Sequence, residues 1–212
     1  MVAGYAWIER QLFAVLGGWV GTEMVPEARL LFDLHSQQHA WHAELFVERL
    51  PMGDGTATSA DVPPSFEVDR MFSALAGTVP SEGGAEGGQG SGAVAGSTER
   101  SMSGGTLLRL AGLGRVVLPR LVAGYGRHLR RAALVADAPL VRGLRLVLHD
   151  EVEQWFAVES LTQALVRRPH DVAVVGAHQQ RLEQMVVDSG VGLVPWPQVE
   201  AASPGSDEAL GT

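Results

Sequence analysis

The sequence contains no cysteine, no lysine and no asparagine among its 212 residues. Without cysteine, the chain has no disulfide bond, no thiolate metal ligand and no cysteine nucleophile. All 16 basic residues are arginine, and Ile8 is the only isoleucine. This bias is typical of a GC-rich genome, so the arginine content by itself does not indicate a function.

Long apolar runs are also missing. No segment reaches about 18 uninterrupted apolar residues, the length that spans a membrane, and the first residues lack the basic and apolar regions of a signal peptide. We therefore expect a cytoplasmic protein without membrane contact. Gly104 and Gly105 lack the strand and helix context of a nucleotide-binding loop, and no flavin signature occurs. The net charge of −8 disfavours nucleic acid as a partner.

The spacing of the apolar residues predicts a mostly helical chain. Five helices are expected, over Tyr5 to about Gly17, Pro26 to about Leu50, about Val116 to Ala133, Asp137 to about Val166, and Asp171 to about Val187. A short amphipathic stretch, Phe66 to Leu75, is expected between the second and third helices. On the second helix the predicted buried stripe consists of Leu31, Leu34, Gln38, Trp41 and Leu45.

Loop lengths predict how these helices are arranged. Short loops make the first and second helices antiparallel neighbours, and likewise the third and fourth. The connection between the two pairs is long enough to cross the full length of a bundle. A long loop permits such a crossover without requiring it, so an up-and-down bundle is the alternative. Within it, residues 78–106 are rich in Gly and Ser and are expected to be disordered. The helical domain is thus expected to span residues 1–190, followed by an irregular or disordered tail over 191–212.

Several ionisable residues fall on helix faces that are otherwise apolar. Glu151 lies within the apolar stripe of the fourth helix, where an unpaired carboxylate is costly and needs a partner, a metal ion or a raised pKa. His35, His39 and His42 share one face of the second helix, and Glu9 borders the apolar stripe of the first. Counting residues from the turns places Glu9, the histidines and Glu151 at similar heights in the bundle.

A structural role for Glu151 is the alternative, in which the carboxylate pairs with an arginine or accepts a hydrogen bond from a tyrosine. The third helix has no acidic residue between Arg115 and Ala136. Its polar candidates for an inward position are Tyr125 and His128.

The chain resembles ferritin-like four-helix proteins, including such domains of uncharacterised bacterial proteins. The resemblance lies in the opening Tyr5–Phe13, in the segment His35–Glu44 and in the placement of the helices. It implies an all-α, ferritin-like four-helix bundle of two antiparallel hairpins joined by a long crossover, with a short fifth helix added.

The same resemblance implies a metal site. Glu9 matches the glutamate of the family's first helix, His39 and His42 stand at one Glu-x-x-His position, and Glu151 begins the other, with Gln154 replacing its histidine. The family's pattern holds two iron ions, but the third helix of this chain offers no carboxylate. The residues therefore support at most one ion, of iron or manganese, held by Glu9, His39, His42 and Glu151.

Two functions follow as expectations. The first is a metal-dependent oxidase, hydroxylase or iron-binding protein with a degenerate metal site. The alternative is a non-catalytic helical module that has lost metal binding and acts through self-association or a protein partner. Its contact surfaces would be the apolar tail near Val194 and the region 106–145, which carries eight arginines and one acidic residue.

Overall fold

The computed structural model describes residues 1–50, 59–77, 105–190 and 192–194. These residues form six helices and no strand, which confirms an all-α protein. The helices are α1 (Val2–Val20), α2 (Pro26–Val47), α3 (Phe66–Ala76), α4 (105–131), α5 (Ala138–Leu165) and α6 (Pro169–Asp188). A 3₁₀ turn covers Ser59–Asp61. Within α4, a π-helical segment (Gly112–Val117) precedes the regular α-helix Leu118–Arg131.

Side-chain contacts define the directions of the four helices that surround the centre. α1 runs antiparallel to α2 and to α4, so α2 and α4 run in the same direction. The contacts with α2 are Tyr5–Phe46 and Trp19–Phe32, and those with α4 are Tyr5–His128 and Glu23–Arg109. α5 runs antiparallel to α2, through His42–Asp150 and Gln38–Gln154. The remaining helices, α3 and α6, contact each other, and α6 also contacts the π-helical segment.

The first helix does not end at Gly17 and Gly18, as the sequence had suggested, but continues to Val20. A glycine inside a helix costs roughly 0.5–1 kcal/mol relative to alanine. Burial of the neighbouring Leu16 and Trp19 offsets that cost, because a large apolar side chain contributes about 1.5–3 kcal/mol when it is buried.

The predicted start of the third helix near Val116 was wrong, since α4 is already helical at residue 105. Residues 105 and 106 therefore do not belong to a disordered insertion. Two glycines of α4 lie at close helix contacts: a Cβ at Gly112 or at Gly114 would lie 2.6 Å from the side chain of Leu75 or of Val158, respectively. Small residues at such points let helices approach closely.

The predicted disorder of residues 78–104 lies outside the described residues, and so does that of 195–212. Immediately before the latter segment, Leu193 and Val194 are buried in the core. The expected short fifth helix is α6, with 20 residues, and α3 is a further helix. None of the described helices is long and apolar enough to span a membrane.

The buried face of α2 differs from the predicted stripe. Leu34 and Trp41 are 56% and 53% exposed, whereas His35, His39 and His42 are buried. The helix thus directs its histidines inwards and part of its apolar surface outwards. The buried histidines therefore place polar side chains of α2 at the centre of the protein.

Candidate metal centre

Four buried side chains meet between the helices, and we call them the Glu/His cluster. α1 supplies Glu9, α2 supplies His39 and His42, and α5 supplies Glu151. All four are buried, and each offers one ligand atom within 4.8 Å of the ligand atoms of the other three. The structure therefore brings together the four residues that the sequence had singled out as metal ligands.

The helical repeat explains why the two histidines converge. Residues three apart lie on the same helix face, so His39 and His42 are directed to the same region. Their ring centroids are 5.7 Å apart and their planes are perpendicular. In this arrangement the Nδ1 atoms of both rings lie close to the same two carboxylates.

Distances within the Glu/His cluster are compatible with one coordination sphere. His42 Nδ1 lies 3.4 Å from Glu9 Oε2 and 3.3 Å from Glu151 Oε1. His39 Nδ1 lies 3.4 Å from Glu151 Oε1 and donates to Glu9 Oε2 at 2.6 Å. Two ligands at about 2.1 Å from one ion are about 3.0 Å apart at a right angle and about 3.4 Å apart at the tetrahedral angle. Most of the observed separations already match that geometry.

Several polar atoms of the Glu/His cluster have no hydrogen-bond partner among the described residues. Neither carboxylate oxygen of Glu151, nor Nδ1 of His42, has a hydrogen-bond partner among the described residues. A buried polar group without a partner is costly. Among the described residues, neither an arginine nor a tyrosine binds Glu151, and Tyr125 donates to Glu9 instead. Glu151 thus keeps its oxygens available for a cation.

The electrostatic field of the site favours a positive charge between the two carboxylates. Burial and the charge of Glu9 raise the pKa of Glu151. Burial also opposes ionisation of Glu9, but the contacts with His39 and His42 lower its pKa overall to about 2. Burial favours neutral His42, yet its contacts with Glu151 and Glu9 raise its pKa to about 11. A bound cation would take over the role of these protons.

Two further residues hold the ligands in position. His42 Nε2 donates to Asp150 Oδ2 at 3.1 Å, which orients the ring with Nδ1 towards the two carboxylates. The hydroxyl of Tyr125 donates to Glu9 Oε1. A carboxylate behind a histidine is the usual support of a metal-binding imidazole. Sequence reasoning identified Tyr125 as an inward residue but missed Asp150, for which the only signal was its position next to Glu151.

Other buried polar residues surround the cluster without joining it. His35 is buried one turn from His39, and its burial lowers its pKa to about 3. The hydroxyl of Tyr5 contacts Nδ1 of His128 at 2.9 Å, so His128 is an inward residue as expected. Gln154, at the family's histidine position, donates to Gln38 at 3.1 Å.

Comparison with known proteins gives no relative: no family model, no curated protein and no solved structure matches the chain significantly. The class of the protein is therefore defined by its own structure, as an all-α protein with a buried Glu/His cluster between four helices.

Proposed function

We propose that the protein is a ferritin-like helical bundle that binds one iron or manganese ion at the Glu/His cluster. The observation that carries the proposal is the spacing of two imidazole nitrogens and two carboxylate oxygens, three of whose four contacts measure 3.3–3.4 Å. One ion at the centre would satisfy both the unpartnered oxygens of Glu151 and Nδ1 of His42.

The helix directions support the ferritin-like part of the proposal. α1 pairs with α2 and α4 with α5 as antiparallel hairpins, while α2 and α4 run in the same direction, which a long crossover produces. Against the family pattern, α4 contributes Tyr125 rather than a carboxylate. A site with only two carboxylates suits one ion better than two.

The donor set is compatible with iron or manganese. Imidazole and carboxylate ligands suit both ions as well as zinc, and the absence of cysteine excludes a thiolate site. Bound at this site, such an ion would supply oxygen-dependent oxidation or hydroxylation, or storage of iron, through coordination positions that the four side chains leave open. Tyr125 would keep Glu9 in place, and Asp150 would keep Nδ1 of His42 directed inwards.

Metal analysis tests this proposal. Protein purified without chelator is expected to contain about one equivalent of iron or manganese per chain, or to take up one equivalent of Fe(II) under anaerobic conditions. Absence of metal after such loading would contradict it. Uptake of zinc alone would also contradict it, because zinc has no redox chemistry.

Removal of the carboxylate behind His42 should weaken metal binding. We expect Asp150→Ala to lower the affinity for Fe(II) or Mn(II) by about 10- to 100-fold, since supporting residues of metal-binding histidines have effects of this size. The matched control is Glu153→Ala on the same helix, whose side chain is exposed. Equal affinities of the two variants in a competition titration would show that Asp150 does not support the ligand.

The alternative, a non-catalytic interaction module, is favoured by one different observation. Leu30, Leu34 and Trp41 form an exposed apolar stripe on the outer face of α2. Their spacing of four and seven residues places them on one side of the helix. Contiguous exposed apolar side chains are typical of interaction surfaces.

Sedimentation distinguishes this alternative. If the stripe mediates self-association, the wild-type protein sediments above its monomer mass of 22.5 kDa, and the double variant Leu34→Gln/Trp41→Gln sediments as a monomer. Phe156→Gln, which removes an exposed aromatic residue on α5, is the control and should leave the mass unchanged. A monomeric wild-type protein would contradict self-association through this stripe.

A further inference from the structure

A groove on the outer side of α4 has no role in the function proposed above. Three arginines of α4, Arg120, Arg127 and Arg130, line one side. Val186 of α6 lines the other side, together with a turn that includes Gly190 and residues 192–194. The groove has a volume of about 570 Å³. We call it the arginine groove.

Local packing holds the far wall of the arginine groove in place. Val194 lies so close to α4 that a Cβ at Gly124 would be 2.8 Å from its side chain. The turn itself depends on Gly190 and Gly192, whose φ angles of 68° and 73° are those of the left-handed region that glycine adopts at little cost. The backbone N–H of Gly192 also donates to Ser189 Oγ at 3.1 Å.

Positive charge dominates this surface. The three arginines lie seven and three residues apart, which places them on neighbouring positions of one helix face. Arg120 donates to the carbonyl of Val116 at 2.9 Å and lies 3.8 Å from Glu183. No acidic side chain is found among the described residues that line the groove. The described residues that line the groove thus carry three positive charges and no negative one, and Glu183 offsets part of the charge of Arg120.

We propose that the arginine groove binds a phosphate-bearing small molecule. The planar guanidinium group binds phosphate oxygens through paired hydrogen bonds, and three arginine residues line this one groove. Its volume lies within the range of about 300–1,000 Å³ that is usual for small-molecule sites. The apolar side chains of Val186, Leu193 and Val194 provide contacts for the remainder of the ligand.

The arginine groove lies on the same helix as a residue of the Glu/His cluster. Gly124, which packs against Val194, directly precedes Tyr125, and the Tyr125 hydroxyl donates to Glu9 on the inner side of α4. A bound phosphate would therefore contact the outer face of the helix that positions one ligand of the cluster. The proposal rests on the groove alone and does not require a metal in the cluster.

Calorimetric titration with pyrophosphate as the probe tests the proposal. The double variant Arg127→Gln/Arg130→Gln is expected to bind pyrophosphate at least about tenfold more weakly than the wild-type protein, because it lacks two charge-assisted contacts. The control is Arg142→Gln/Arg145→Gln, which removes the same charge from exposed positions on α5. This control should bind within about twofold of wild type, since removing distant surface charges changes only screened interactions. Both arginine pairs are surface residues, and unchanged thermal melting would confirm folding.

Three results would overturn the proposal. The first is no measurable binding of pyrophosphate to the wild-type protein at millimolar concentration. The second is equal weakening in both double variants, which would indicate attraction by overall charge rather than a site. The third is binding that appears only after residues 198–212 are removed. That segment carries three acidic residues and no basic one, and such a result would assign the groove to the chain's own tail.

Discussion

Replacing Glu151 by glutamine is expected to abolish metal binding and, at the same time, to stabilise the metal-free protein. The carboxylate is fully buried, lies beside Glu9 and accepts no hydrogen bond from the described residues. Glutamine has the same shape without the charge, so it removes the cost of burying the carboxylate and its repulsion by Glu9. We expect the free energy of unfolding to rise by about 1–2 kcal/mol, the usual cost of one unsatisfied buried polar group.

Chemical denaturation with and without Fe(II) measures both effects. At a free metal concentration of 100 times Kd, the wild-type protein should gain about 2.7 kcal/mol, because the ion binds only the folded state. Glu151→Gln should gain nothing. Glu153→Gln, at an exposed position of the same helix, should behave as wild type in both conditions. A Glu151 variant that is less stable without metal, yet still stabilised by Fe(II), would contradict a ligand role.

The second large effect concerns the buried ion pair between Glu23, just after the end of α1, and Arg109 of α4. Arg109 donates to Glu23 Oε2 at 2.9 Å and to the hydroxyl of Thr22 at 2.9 Å, and both charged side chains are buried. Thr106 adds a hydrogen bond to Glu23 at 2.6 Å. Arg109→Met leaves Glu23 buried without its cation, and we expect a loss of about 3–5 kcal/mol in the free energy of unfolding.

Two comparisons isolate this effect in urea denaturation. The double variant Glu23→Gln/Arg109→Met should recover most of the loss, because it removes the uncompensated charge together with its partner. Arg115→Met breaks a half-exposed pair with Glu159 and should cost no more than about 1 kcal/mol. If Arg109→Met costs as little as Arg115→Met, the buried pair does not stabilise the connection between α1 and α4.

The fold was predictable wherever apolar spacing and burial coincide. On α1 the apolar residues spaced three and four apart are all buried, namely Tyr5, Ile8, Leu12, Val15 and Trp19. On α2 the same method was wrong for Leu34 and Trp41, which are exposed, because histidines occupy the fully buried positions. Leu31 and Leu45 pack against the core as predicted. Sequence patterns are expected to fail at functional sites, where polar residues replace the apolar ones that the pattern requires.

The candidate site was predictable in its residues but not in its supporting contacts. Glu9, His39, His42 and Glu151 stand out in the sequence because each lies on or beside an apolar face, and the structure brings them together. The contact of Asp150 with His42 joins residues 108 positions apart, and no local pattern carries that information. Whether the cluster binds metal remains a prediction.

A crystal structure with anomalous data, collected after anaerobic loading with Fe(II) or Mn(II), tests the central claim most directly. The account predicts one anomalous peak between the four helices, about 2.0–2.2 Å from Nδ1 of His39 and of His42 and from a carboxylate oxygen of both Glu9 and Glu151. No peak at this position, or a peak bound only by surface residues, would contradict it.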